Sequence, residues 1–174
     1  MQSILKKLIL LITLSIFTFN LGAEVPHYVD FKYILNSSAA GKKAQDFLKI
    51  KLDKGLKKLK EKEKTLLDEE KKIIQQKKLI KPEEYKKKVD SLRSNVLSLQ
   101  KERETLLQSV SKQRLKARNE LLKNLNPIIS EYMKEKKIRM VIDKKSILLA
   151  DQNLDITKEI IDLLNKKLKS INLN

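Results

Sequence analysis

Leu52, Leu59, Leu66, Ile73 and Ile80 recur at a strict seven-residue interval along an otherwise charged stretch. Such an interval puts all five on one stripe of a helix packed against another helix. Leu56, Leu67 and Ile74 are helical neighbours of that stripe and are expected to widen it. Lys62, Glu69 and Gln76 are polar where a strong seam would be apolar again, so the seam is expected to be loose. Only Gly55 interrupts the helical pattern from about residue 38 to residue 80; at about 1 kcal/mol relative to Ala, it is expected to let the helix flex. A second stripe runs Val89, Leu92, Val96, Leu99, Leu106, Val110 and Ala117, with spacings of three, four and seven. Between the stripes, Pro82 suits the first turn of a helix, where its missing N–H costs nothing. Glu83 and Glu84 then complement the helix dipole. The chain is therefore expected to turn at 80–82 and return. Two helices of about 40 residues predict an antiparallel hairpin roughly 60 Å long. Pro127 is expected to kink or restart the second helix, within a stretch over 119–133 whose denser apolar face is Leu121, Leu122, Leu125, Ile128, Ile129 and Tyr132.

The pattern changes at both ends. YVDF, residues 28–31, reads as a short strand, and NSSAAGKK marks its junction with the helix, with Ser37 or Ser38 as the cap. After Lys137, residues 138–143 and 146–150 read as two strands joined by Lys144-Lys145, a hairpin with poor turn chemistry. Asp155 or Thr157 is placed to cap a last helix with Ile160, Ile161, Leu163, Leu164 and Leu168 on its buried side. A lone strand is unstable, so residues 28–31 must find partners in 138–150. The expected organisation is a discontinuous body of residues 24–37 and 134–174, interrupted by a helical-hairpin arm over 38–133. Tyr28, Val29, Phe31, Ile138, Met140, Ile142, Ile147 and Leu149 are its candidate oligomerisation residues. A body of under about 60 residues is short of core, so assembly is the economical way to bury its remaining faces.

Composition adds a compartment and a charge. Residues 1–23 place Lys6 and Lys7 before an apolar run over 8–19 and end in Gly22-Ala23, the pattern of a secretory signal peptide cut near Ala23. The run is too short for a comfortable membrane span. Leu21 is large for its position before the cut. Export from the cytoplasm is expected, and the absence of cysteine means no disulfide framework and no lipid-attachment cysteine. Beyond residue 23 the chain holds 37 basic and 22 acidic residues, a net +15, and residues 42–126 alone hold 26 against 13. The excess is one-signed around the arm tip, at Lys71, Lys72, Lys77, Lys78, Lys81, Lys86, Lys87, Lys88 and Arg93. These are the candidate partner-binding residues. A merely solubilising face mixes signs. Acidic protein segments and anionic lipid headgroups are the partners such charge attracts. Nucleic acid is not expected, because export removes it and the arm has almost no aromatic residues for stacking.

No enzyme chemistry is legible. His27 is a lone histidine, read as a surface residue, and there is no HExxH, GxSxG or Gly-rich phosphate loop. Glu61/Glu63 and Glu69/Glu70 lie among lysines as ion-pair partners. Neither a metal nor a cofactor is expected.

The two ends of the chain resemble the Skp/OmpH family of periplasmic chaperones for outer-membrane proteins. The residues that carry the resemblance are YVDF at 28–31, ILNSSAAGKKAQDFL at 34–48 and MVIDKKSILLADQNLDITKEII at 140–161. Val29, Asp30, Leu35, Asn36, Gly41 and Lys42 match the first block of the family pattern; Asp143, Asp155, Ile156 and Thr157 match the second. The resemblance implies an α+β fold with a small β-rich trimerisation body and a long antiparallel helical-hairpin (coiled-coil) arm per subunit. It further implies a homotrimer whose three arms hold unfolded outer-membrane β-barrel proteins without ATP, and no active-site residues.

Overall fold

The computed structural model describes residues 25–173; the expected signal peptide lies outside them. Ser38 decides where the arm begins. Its side chain accepts a hydrogen bond from the Gly41 N–H at 3.2 Å, satisfying one free donor of the first turn. The chain order is β1 (His27–Val29), α1 (Phe31–Ser37), α2 (Ala39–Gln76), α3 (Pro82–Lys136), β2 (Val141–Asp143), two 3₁₀ turns (Lys144–Ser146 and Gln152–Leu154) and α4 (Thr157–Lys167). The molecule is mostly helical.

α2 and α3 run antiparallel. Lys51 reaches Ser109 and Gln113, Lys62 reaches Glu102, and Gln76 reaches Lys88, so partners along α3 fall in residue number as those along α2 rise. Pro82 occupies the start of α3 with Glu83 and Glu84 in its first turn. Residues 77–81 make the connection, closed by Leu79 N–H to the Gln76 carbonyl at 2.8 Å. Pro127 does not restart α3, which continues to Lys136. One lost backbone bond is outweighed by Leu125 and Ile128, fully buried on either side of it. Lys137 closes α3 in the left-handed conformation, φ 56°, while the Ile138 N–H bonds the Met133 carbonyl, a common helix stop.

At the base, β1 and β2 pair in parallel, His27 against Val141 and Val29 against Asp143. The hairpin arm is thus the crossover between two parallel strands. Three expectations are corrected here. The first strand stops at Val29, because Asp30 turns the chain: its Oδ1 accepts from the Tyr33 N–H at 2.7 Å and caps α1. Phe31 is the first residue of that helix, not of a strand. Residues 146–150 form no strand. Asp143 bonds the Lys145 N–H and folds 144–146 into a 3₁₀ turn, local side-chain bonding that competes with a ladder. The base is therefore held by helices more than by sheet. Its core joins Val29, Ile34, Ala40, Leu121, Leu125, Ile128, Ile156, Ile160 and Leu164. Thr157 binds this core to β1 by accepting from the Asp30 N–H at 2.7 Å. Asp155, not Thr157, bonds the first free donor of α4. A second cluster, Ala44, Leu48, Val110, Ala117 and Leu173, sits where the arm leaves the base. Between residues 56 and 105 only Leu59 and Ile73 are buried.

Candidate functional site

The nine basic candidates gather around one end of the hairpin. Lys71 and Lys72 lie in the last turns of α2, Lys77, Lys78 and Lys81 in the connection, and Lys86, Lys87, Lys88 and Arg93 in the first turns of α3. Lys88 is half-buried and bridges the turn, donating to Gln76 Oε1 at 2.8 Å and lying 3.8 Å from Glu84. Lys71 and Arg93 lie 3.7 Å from Asp68 and Asp90. Among the described residues, Lys72, Lys77, Lys78, Lys81, Lys86 and Lys87 are exposed and form no salt bridge. Their charges repel one another and are neutralised only by solvent ions or a partner.

The seam residues behave unequally. Leu59, Ile73 and Val110 are buried; Leu52, Leu66, Val89, Leu92, Leu99 and Leu106 are half-buried; Val96 is exposed. Gly55 serves packing, because Leu106 lies against its bare backbone where a Cβ would stand. Leu56, Leu67 and Ile74 do not widen the seam; all three face solvent. A two-helix arm can bury one narrow stripe per helix, and neighbouring positions then have nothing to pack on. Leu97, Leu107, Leu115 and Leu79 are exposed as well, Leu79 at 81%. Sequence reading passed over these four; their signal is a leucine off the seven-residue stripe with no facing helix left to cover it. Leu66, Leu67, Leu92, Val96, Leu97 and Leu99 line a shallow groove of about 650 Å³ in the outer half of the arm, edged by Glu63, Glu70, Arg93 and Arg103.

At the base, Tyr28 and Val29 are buried, and Phe31 and Ile138 pack against the core of their own chain. Ile147 is half-buried, whereas Met140, Ile142 and Leu149 stay outside. Leu148, 104% exposed, and Leu149, 91%, stand side by side in solvent. His27 is not a plain surface residue. It lies half-buried in β1, with its Nδ1 buried and unpartnered.

Lys167 of α4 donates to Glu131 of α3 at 2.7 Å, and its hydrogen bond and charge hold the Glu131 carboxyl below its ordinary value of 4.5. Burial, followed by the charge of Glu159, pushes the Tyr132 hydroxyl up. Both groups sit at the α3–α4 contact, away from the arm tip. Among the described residues no group of His, Cys, Asp and Glu is placed to hold a metal ion, and no helix is long and apolar enough to cross a membrane.

A paired-helix arm on a small mixed base, with lysines and uncovered leucines along the arm, defines a hairpin-arm protein built around surface and not around a cleft. The chain belongs to the outer membrane protein (OmpH-like) family, whose model matches residues 27–164. Its fold is similar to that of a solved OmpH-like outer-membrane chaperone candidate from Caulobacter crescentus CB15, with a TM-score of 0.77 at 20% identity. That likeness covers 85% of this chain and 89% of the other. No curated protein matches the sequence.

Proposed function

We propose that this protein is an exported, ATP-independent holdase, a homotrimer whose arms hold unfolded outer-membrane β-barrel proteins and keep them soluble for insertion. The observation that carries this reading is the arm surface, where exposed Leu67, Ile74, Leu79, Val96 and Leu97 alternate with unpaired lysines. Unfolded barrel strands alternate apolar and polar residues. A distributed surface of small apolar patches and charge suits them better than a deep pocket, and it releases them readily. Family membership supports the same reading, as does the uncovered pair Leu148 and Leu149 at the base, since large exposed apolar residues side by side favour an interface. Residues 24–37 and 134–174 would then form the assembling body, and 38–133 the arm.

A second reading is favoured by the tip lysines alone: binding to anionic lipid headgroups. One experiment tests the holdase reading and separates the two. A urea-unfolded outer-membrane barrel protein is diluted into buffer with the chain, and light scattering is followed without nucleotide. The holdase reading expects suppression at near-stoichiometric trimer. Unchanged scattering at every ratio, with salt-sensitive binding to anionic vesicles, would leave the second reading in its place.

A further inference from the structure

Beyond α4 the chain does not drift away from the molecule. Leu168 is extended, φ −129° and ψ 109°, and the following residues lie back on the foot of the arm. Ile171 packs against both apolar clusters, and Leu173 is only 4% exposed, seated among Ala44, Leu48, Val110 and Ala117. Ile171 is half-buried, Asn172 exposed and Leu173 buried, so the inward-facing apolar side chains fall at alternate positions. The backbone is read as well. Gln113 Oε1 accepts from Lys51 Nζ at 2.8 Å, which turns the Gln113 amide nitrogen toward the segment, where it donates to the Leu173 carbonyl at 2.5 Å. Ala44 and Ala117 supply the space; larger residues there would close the trough between the helices. The trough does not end with the segment. Ala44, Leu48 and Ala117 also line an adjoining open groove of about 780 Å³, reaching Leu35 and Leu121 and edged by Arg114 and Arg118.

We infer that the trough between α2 and α3 at the arm base binds an extended peptide with apolar residues at alternate positions, and that residues 168–173 are its built-in, displaceable occupant. The occupant displays what the trough recognises: two alternate apolar side chains and a carbonyl presented to an oriented amide donor. Barrel strands carry that alternation, so the physiological partner class rests on the holdase reading, while the site itself does not. A tethered occupant competes at the millimolar effective concentration of a short linker, which keeps the trough covered until a longer strand displaces it.

The test compares the full chain with a variant ending at Lys167, using a short fluorescein-labelled peptide that alternates leucine with serine. Anisotropy should show about tenfold tighter binding to the shortened variant, the competing tether having gone. Ile171→Ser with Leu173→Ser in the full chain should reproduce the gain, and it decides the matter alone if circular dichroism shows the shortened variant unfolded. Ala117→Phe, which fills the trough, should abolish the gain. Equal affinity of full chain and variants, or a gain that survives Ala117→Phe, would overturn the inference. Loss of aggregation suppression with the peptide result intact would remove the barrel-strand partner and keep the site. Peptide binding unchanged among variants that still protect the barrel protein would do the reverse.

Discussion

Gly41 sits buried in the first turn of α2, with the Leu35 carbonyl oxygen of α1 close to where a Cβ would stand. An added methyl would collide with that oxygen and crowd Ser38 Oγ at 2.9 Å. Both neighbours are fixed, one by backbone and the other by its cap bond, so neither can yield cheaply. Gly41→Ala should cost about 1–3 kcal/mol, as overpacking does, despite the better helix propensity of Ala. Thermal unfolding followed by circular dichroism should show a melting temperature lower by several degrees; an unchanged value would mean that the α1–α2 junction is slack. A cap at Ser37 or Ser38 was legible in the sequence because capping chemistry is local, and the bond to Gly41 N–H decides for Ser38. The stop at Asp30 was not. A short apolar run reads as strand or helix equally well, and only the Asp30 bonds to Tyr33 and Thr157 break the tie.

Among the elements, the hairpin was the most legible, since seven-residue spacing and Pro82 each fix a feature without reference to the rest of the fold. Which leucines the hairpin leaves bare was less so, because that depends on how many helices pack together. The base was the least legible: Asp143 and its turn defeat a strand that composition favours. The arm tip carries its own prediction. Replacing Lys77, Lys78, Lys81, Lys86, Lys87 and Lys88 with Gln should weaken client capture at low salt and flatten its dependence on ionic strength. Capture measured from 50 mM to about 500 mM salt checks this; an unaltered profile would return these lysines to a solubilising role. The α3–α4 contact gives a pH signature. A carboxyl held below its ordinary 4.5 adds stability above that value and loses it as pH falls toward the depressed one. Glu131→Gln should therefore lower the melting temperature slightly at neutral pH, as an exposed pair allows, and the gap should close in acid. A gap that persists or grows in acid would contradict the assignment.

At the scale of the whole molecule, a single chain is an unfinished object. Its base pairs two three-residue strands and exposes Leu148 and Leu149, and its arm is a helix pair with one thin seam. The proposed homotrimer would cover the first deficit and give the second an inside. The match to the OmpH-like family over residues 27–164 is the feature the sequence carried most openly, through its two ends; the middle is charged helix that many proteins share. Sedimentation velocity of the purified chain with a fluorescently labelled, urea-diluted barrel protein tests holding and assembly together. A soluble species with the mass of three chains and one client is the expected result. Pelleting of the labelled client while the chain sediments as a monomer would contradict the account.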